Sequence, residues 1–186
     1  MRISPNAVLH FWFEDCRPHQ WFRRNADFDA VVLNRFGKLT SSALNGELTH
    51  WEQNATGALA LVLILDQFTR QIWRDQPRAF AGDPHSLRLT DQAIANGWLA
   101  EEPERVRRQF WLMPMLHSEQ LGVIQEAVCV LERWSDPATV AVARRNQDLI
   151  QRFGRYPQRN AALGRPSTQE ELEFLKDWQS RGKTKK

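Results

Sequence analysis

Asp66, Gln67 and Arg70 are polar residues that follow directly on a long apolar run, which makes them candidates for chemistry. Their spacing places Asp66 and Arg70 one helical turn apart on one face, where a carboxylate and a guanidinium form a charge-assisted pair. Such a pair could orient a ligand, with Gln67 adding a hydrogen bond. Buried ion pairs that only organise a core have the same appearance. The segment therefore predicts either a ligand site or a structural ion pair.

A second polar segment, with His117 and Glu119, follows the apolar run Met113-Pro114-Met115-Leu116. His117 has helical spacing with Leu121, so we expect its side chain to point inward. Because imidazole titrates near pH 7, His117 is the best candidate for a general base, and Glu119 could assist in proton transfer. A histidine in apolar surroundings is also commonly structural. The pair lacks the spacing of zinc ligands on a helix, and we predict neither a metal nor a cofactor.

The third polar segment combines arginines with residues that interrupt a helix. Arg155, Arg159 and Asn160 follow Gly154, and Pro157 falls between the two arginines, which predicts a rigid loop. A guanidinium binds a carboxylate or a phosphate through parallel hydrogen bonds, so these arginines, with Asn160 beside them, are candidates for holding an anion. The alternative is that they dock onto helix C-termini or onto acidic side chains of the protein itself.

The three polar segments are compatible with two functions. In the first, they meet at a pocket for a small anionic molecule, which the arginines and Gln67 bind, and Asp66, His117 and Glu119 form the candidate catalytic group. Hydrolysis or isomerisation of an anionic metabolite is the reaction class that such a group would serve. In the second, the protein is an interaction module that holds a protein partner on a concave helical surface, and the polar residues only stabilise the fold.

Helix signals dominate the elements that must position these groups. Capping residues precede proline at Ser4-Pro5, Asp83-Pro84 and Asp136-Pro137, and each pair predicts a helix start. The segment Ser167-Thr168-Gln169-Glu170 fits a capping box for a last helix. A helix over residues 58–65 is apolar on every face, so we expect it at the centre of the fold. We predict an all-α, compact antiparallel array of about seven to nine helices.

Composition limits the class of protein and its partners. The 186 residues, of which 42% are hydrophobic, favour a single helical domain over residues 1–180, followed by a basic disordered tail at 181–186. Without the tail, 21 basic residues face 22 acidic ones, which argues against nucleic-acid binding. Two cysteines, Cys16 and Cys129, are too few for a disulfide framework. No apolar run approaches the roughly 20 residues of a membrane span, so we expect a cytoplasmic protein.

Short motifs along nearly the whole chain point to a family. They are His10-Phe11-Trp12-Phe13, Trp21-Phe22, Leu65-Asp66-Gln67-Phe68 with Arg70, Ala79-Phe80 with Asp83, Met113-Pro114 with His117-Ser118-Glu119, Phe153-Gly154-Arg155, and Arg159-Asn160 with Leu163-Gly164-Arg165. In these motifs the chain resembles the bacterial domain of unknown function family 924. The resemblance implies an all-helical, tetratricopeptide-like fold, and it would make the interaction-module alternative tetratricopeptide-like as well. It implies no agreed activity.

The chain departs from the pattern of the family that it resembles at three positions. A proline usually stands where this chain has Thr69, and histidines usually stand where it has Asn146 and Gln158. Amide side chains are poor metal ligands and poor proton carriers compared with imidazole. If the family has an activity that needs those histidines, the resemblance implies that this member has lost it.

Overall fold

The computed structural model describes residues 3–183 as helices joined by short connections, and no strand occurs among them. This confirms the all-α prediction. The α-helices are α1 (Pro5–His10), α2 (Pro18–Phe22), α3 (Ala26–Leu44), α4 (Ala55–Val62), α5 (Thr69–Ile72), α6 (Asp83–Ala95), α7 (Trp98–Glu101), α8 (Arg105–His117), α9 (Leu121–Trp134), α10 (Pro137–Phe153) and α11 (Gln169–Lys183). Short helices such as α5 and α7 add to the long ones that sequence periodicity indicated.

The central element of the fold is the segment from α4 to α5, in which a π-helical stretch, Leu63–Phe68, joins the two α-helices. Every residue from 57 to 69 is buried, which confirms the burial predicted for residues 58–65 and extends it to the polar residues that follow. Helices α1, α3, α6 and α8 pack around it. Each fully buried aliphatic or aromatic side chain contributes about 1.5–3 kcal/mol of gross transfer free energy, so this segment is a major source of stability.

The helix starts that the capping residues predicted are confirmed at α1 and α10. The Ser4 side chain accepts a hydrogen bond from the Ala7 N–H, and Asp136 accepts from the N–H groups of Ala138 and Thr139. Each cap joins residues at most three positions apart, so the local sequence contains all the information that the cap requires.

Two of the predicted caps differ in the structure. Asp83 begins α6 but makes no capping hydrogen bond, because its carboxylate faces two arginines instead. At α11 the capping box is one residue later than predicted. Thr168 Oγ1 accepts from the Glu171 N–H at 3.2 Å, and Glu171 Oε2 accepts from the Thr168 N–H at 2.8 Å.

The C-terminal helix α11 extends to Lys183, three residues into the segment predicted as a basic tail. The last three residues of that segment lie outside the described part of the chain. Cys16 is buried, Cys129 is exposed, and both are free. None of the described helices combines the length and the apolar character that crossing a membrane requires.

Candidate functional site

Asp66 is completely buried and forms the centre of the polar site. His117 Nδ1 lies 2.6 Å from its Oδ1, Gln67 Nε2 donates to its Oδ2 at 2.5 Å, and Arg70 Nη2 lies 3.7 Å from its Oδ1. Burial raises the pKa of Asp66, but the charges and hydrogen bonds of these three partners outweigh burial and hold the pKa below its usual value. The predicted pair of Asp66 and Arg70 is therefore present, and His117 joins it.

Two arginines meet at Asp83, at the start of α6. Arg70 Nη1 lies 2.7 Å from Asp83 Oδ1, and Arg159 Nη1 donates to Asp83 Oδ2 at 3.1 Å. Both guanidinium groups lie over the Phe80 ring, each 4.8 Å from its centroid. Arg159 Nη2 also donates to the carbonyl of His117 at 2.8 Å, at the end of α8. Arg159 therefore joins the loop after α10 to both α6 and α8.

The Glu119 carboxylate accepts hydrogen bonds from the chain that follows α10. Arg165 donates to its two carboxylate oxygens at 2.6 and 2.9 Å, and the Tyr156 N–H donates to Oε1 at 2.8 Å. Burial raises the pKa of Glu119, but these hydrogen bonds and the arginine charge outweigh it and hold the pKa below its usual value. The Tyr156 hydroxyl, in turn, donates to the Leu116 carbonyl at 2.6 Å. Glu119 thus connects the end of α8 to the loop, through partners other than His117.

Arg155 lies in the same loop as Arg159 but contacts a different partner. Its Nε and Nη2 donate to the two carboxylate oxygens of Glu171 in α11 at 2.7 and 2.8 Å. The Asn160 side chain donates to the same carboxylate at 3.2 Å. The hydrogen bonds from Arg155 lead the causes that lower the pKa of Glu171 to about 2. The two arginines predicted to hold one external anion are therefore each paired with a carboxylate of the protein.

Acid is expected to remove the stabilisation that Glu171 provides. Its pKa is about 2 in the folded protein against an ordinary 4.5, so the contribution is complete above about pH 4.5 and is lost as the pH falls toward 2. Urea unfolding from pH 7 to pH 2 measures this loss. Glu171→Gln should be less stable than the parent at pH 7 and should approach the parent as the pH nears 2.

The matched control for this series is Glu170→Gln. Glu170 pairs with Arg152 in an exposed position on the same helix, so its replacement removes the same charge without disturbing a buried carboxylate. If Glu171→Gln and the parent lose stability in parallel over the whole pH range, the buried pair does not contribute as described.

His117 lines a cavity of about 330 Å³ between α8 and α10. Met113, Leu116 and Val142 form an apolar wall, and the exposed side chain of Phe22 forms an edge. Among the described residues of the wall, no other side chain is ionisable. The second ring nitrogen of His117, Nε2, has no hydrogen-bond partner among residues 3–183. A histidine that is oriented on one side by a carboxylate thus meets a mostly apolar cavity.

A family model described as "Bacterial protein of unknown function (DUF924)" matches residues 8–178. The chain belongs to this family. A solved structure of a protein of unknown function, ATU0120 from Agrobacterium tumefaciens, is 32% identical to it with a TM-score of 0.86, over 93% of this chain and 97% of that one. A comparison with curated proteins found no match. The family model and the solved structure give the DUF924 chain its family and its fold, and neither names an activity.

One of the three positions at which the sequence was expected to differ from the family pattern lies on the cavity. Asn146 shares the wall with His117, and its Nδ2 donates to the Leu116 carbonyl at 3.1 Å. Gln158 lies in a short 3₁₀ turn, Pro157–Arg159, and does not line the cavity. Over the described residues, no three His, Cys, Asp or Glu side chains come together as a metal site would need.

Sequence reasoning missed three residues of the polar network around Asp66, Glu119 and the arginine loop. Asp83 carried a visible signal, but the proline after it indicated a helix cap rather than a partner for Arg70 and Arg159. Glu171 carried a weaker one, since the residue three positions after Thr168 completes a capping box. Arg165 stands in one of the family motifs, without a local pattern that points to Glu119.

Proposed function

We propose that this DUF924 protein binds a small molecule in the cavity beside His117, and that His117 acts there as a general base. One observation carries the proposal: the His117 ring lines the cavity while its Nδ1 lies 2.6 Å from the buried Asp66. A carboxylate on Nδ1 fixes the orientation and the tautomer of the ring, which leaves Nε2 to accept a proton. Aspartate and histidine in this arrangement are a common means of activating water or a ligand hydroxyl.

The surroundings of His117 also restrict the ligand. A cavity of about 330 Å³ with mostly apolar walls suits a small molecule whose apolar part supplies most of the binding free energy. The arginines of the polar segments do not line this cavity and are paired with carboxylates of the protein. Among the described residues of the wall, His117 is therefore the side chain that can become a cation beside a bound anion. The ligand that fits best is neutral or carries one negative charge, and it gives up a proton to His117 Nε2. The anion that results then lies beside the imidazolium of His117. Hydrolysis and isomerisation both begin with such a step.

A comparison of two histidine variants tests the proposal. His85 is a matched control for His117, because it lies 2.8 Å from Glu52 and the two histidine side chains are 25% and 27% exposed. Native mass spectrometry of the purified protein detects a retained molecule, and thermal-shift measurements with small carbonyl compounds and carboxylic acids detect added ones. We expect the parent and His85→Gln to bind. In His117→Gln the affinity should be at least tenfold weaker, a loss that corresponds to about one charge-assisted hydrogen bond.

A third variant separates the cavity from the polar network. Val142→Trp fills the cavity from its exposed side and leaves His117 and Asp66 unchanged, so it should abolish binding while altering the melting temperature little. If a compound stabilises Val142→Trp and His117→Gln as much as the parent, it binds elsewhere. If no compound binds the parent, the pair of His117 and Asp66 is structural and the proposal is wrong.

A further inference from the structure

A second concave surface is lined by a different set of residues. It is a groove of about 880 Å³ between α3 and the chain that follows α5, and it shares no residue with the cavity beside His117. We call it the basic groove and define it by Leu33, Arg35, Lys38, Ser41, Trp73 and Arg78. The proposed small-molecule site makes no use of it.

Two of the three cations that line the basic groove have no carboxylate partner among the described residues. Arg35, Lys38 and Arg78 line it, and among the described residues no aspartate or glutamate does. Arg35 lies 3.3 Å from Asp15, but neither Lys38 nor Arg78 has an ion pair within the described part of the chain. This contrasts with the polar site around Asp66, where each arginine has a carboxylate partner. A surface with two unpaired cations favours a partner that brings carboxylates.

Arg78 is held in place before any partner binds. Its guanidinium lies 4.1 Å from the centroid of the Trp73 ring, and its Nη2 donates to Ser41 Oγ at 3.1 Å. A planar guanidinium fixed in this way loses little conformational entropy when it binds a carboxylate. The same stacking covers a face of Trp73, which counts against a nucleic-acid partner because single-stranded bases bind by stacking on open aromatic faces.

The groove is also partly apolar and short. The exposed side chain of Leu33 and the ring of Trp73 contribute apolar surface next to the cations. Along α3 the lining runs from Leu33 to Ser42, which is about 14 Å at 1.5 Å per residue. An extended peptide of about four residues covers that length at roughly 3.4 Å per residue.

We infer that the basic groove binds a short acidic segment of a partner protein in an extended conformation. Carboxylates of the segment pair with Lys38 and Arg78, and its apolar side chains contact Leu33. This function is separate from the chemistry proposed for His117, so either can hold without the other.

Fluorescence anisotropy with a labelled peptide tests the inference. The probe is an eight-residue peptide of alternating glutamate and leucine, with a glutamine and leucine peptide of the same length and single-stranded oligothymidylate as comparisons. We expect saturable binding of the acidic peptide that weakens with added salt, and about a tenfold loss of affinity in Arg78→Gln and in Lys38→Gln. Arg24→Gln is the matched control, since Arg24 is an exposed arginine outside the groove.

Several results would overturn the inference. They are the absence of saturable binding of the acidic peptide, equal affinity for the glutamine peptide, tighter binding of oligothymidylate, and unchanged affinity in both groove variants. Because Arg78 contacts Trp73 and Ser41, the melting temperature of Arg78→Gln is measured as well. Lys38→Gln removes an exposed side chain with no ion pair among residues 3–183, so it tests the groove even if Arg78→Gln is less stable.

Discussion

Gly82→Ala is expected to lower the free energy of unfolding by about 3 kcal/mol or more, or to prevent folding. A Cβ atom at Gly82 would lie 2.2 Å from the carbonyl oxygen of Leu65 and 2.9 Å from its carbonyl carbon. Both are backbone atoms of the buried central segment, so no side chain can rotate away to make room. The absence of a side chain lets α6 approach the π-helical stretch, and this approach places Asp83 against Arg70.

Gly122→Ala is the control for this substitution. A Cβ atom at Gly122 in α9 would meet no atom within 4 Å, and alanine is the better helix former by about 0.5–1 kcal/mol. Urea unfolding of the three proteins should therefore place Gly82→Ala far below the parent and Gly122→Ala at or slightly above it. A Gly82→Ala protein as stable as the parent would show that α6 does not pack against Leu65 as described.

Asp66→Asn is expected to cost about 3 kcal/mol of stability, because it removes one partner of a buried charged network. The neutral amide cannot balance the charge of Arg70, and its NH₂ group replaces an oxygen that accepts a hydrogen bond. The substitution also removes the carboxylate that orients His117. Urea unfolding measures the first effect, and the ligand measurements proposed for the cavity measure the second.

Asp75→Asn makes the same chemical change at an exposed ion pair. Asp75 pairs with Arg24 at 2.7 Å where both side chains are largely exposed, and exposed pairs contribute about 0.2–1 kcal/mol. Its φ of 59° lies in the left-handed region, which asparagine tolerates, so the backbone is not strained by the change. Similar losses in Asp66→Asn and Asp75→Asn would contradict the central role assigned to Asp66.

The parts of the fold that the sequence predicted are those that depend on local information. Residues 58–65 are apolar on every face, and the only way to remove such a helix from water is to surround it. Ser4 and Asp136 cap helices through contacts with residues at most three positions away. Asp66 and Arg70 are one turn apart, so their pairing also follows from spacing.

His117 shows where local reasoning ends. The expectation that it points inward is confirmed by its contact with Asp66, but the reason given for it is wrong. It rested on a helical face shared with Leu121, whereas α8 ends at His117 and α9 begins at Leu121. The contact with Asp66 joins residues 51 positions apart, and no spacing pattern specifies such a contact.

The arginine loop shows the same limit for partner choice. Arg155 and Arg159 share a loop, but their carboxylate partners are Glu171 and Asp83, on helices far apart in the sequence. The sequence indicates that these arginines bind carboxylates, and acidic side chains of the protein itself were one of the predicted alternatives. Which carboxylate is bound depends on the path of the chain between the elements, and only the packed structure shows it.

Glu171 is the main attachment of the C-terminal helix α11, and this affects how the protein unfolds in acid. From Gln169 to Ser180 it is the only buried side chain of α11, and Leu172 and Trp178 remain 44% and 52% exposed. The helix is thus joined to the rest of the protein by the buried ion pair of Glu171, the exposed one of Glu170 and peripheral aromatic contacts more than by buried apolar area. In acid the protein would then unfold in two cooperative steps. The last helix would unfold first, while the tryptophan-rich interior is still folded.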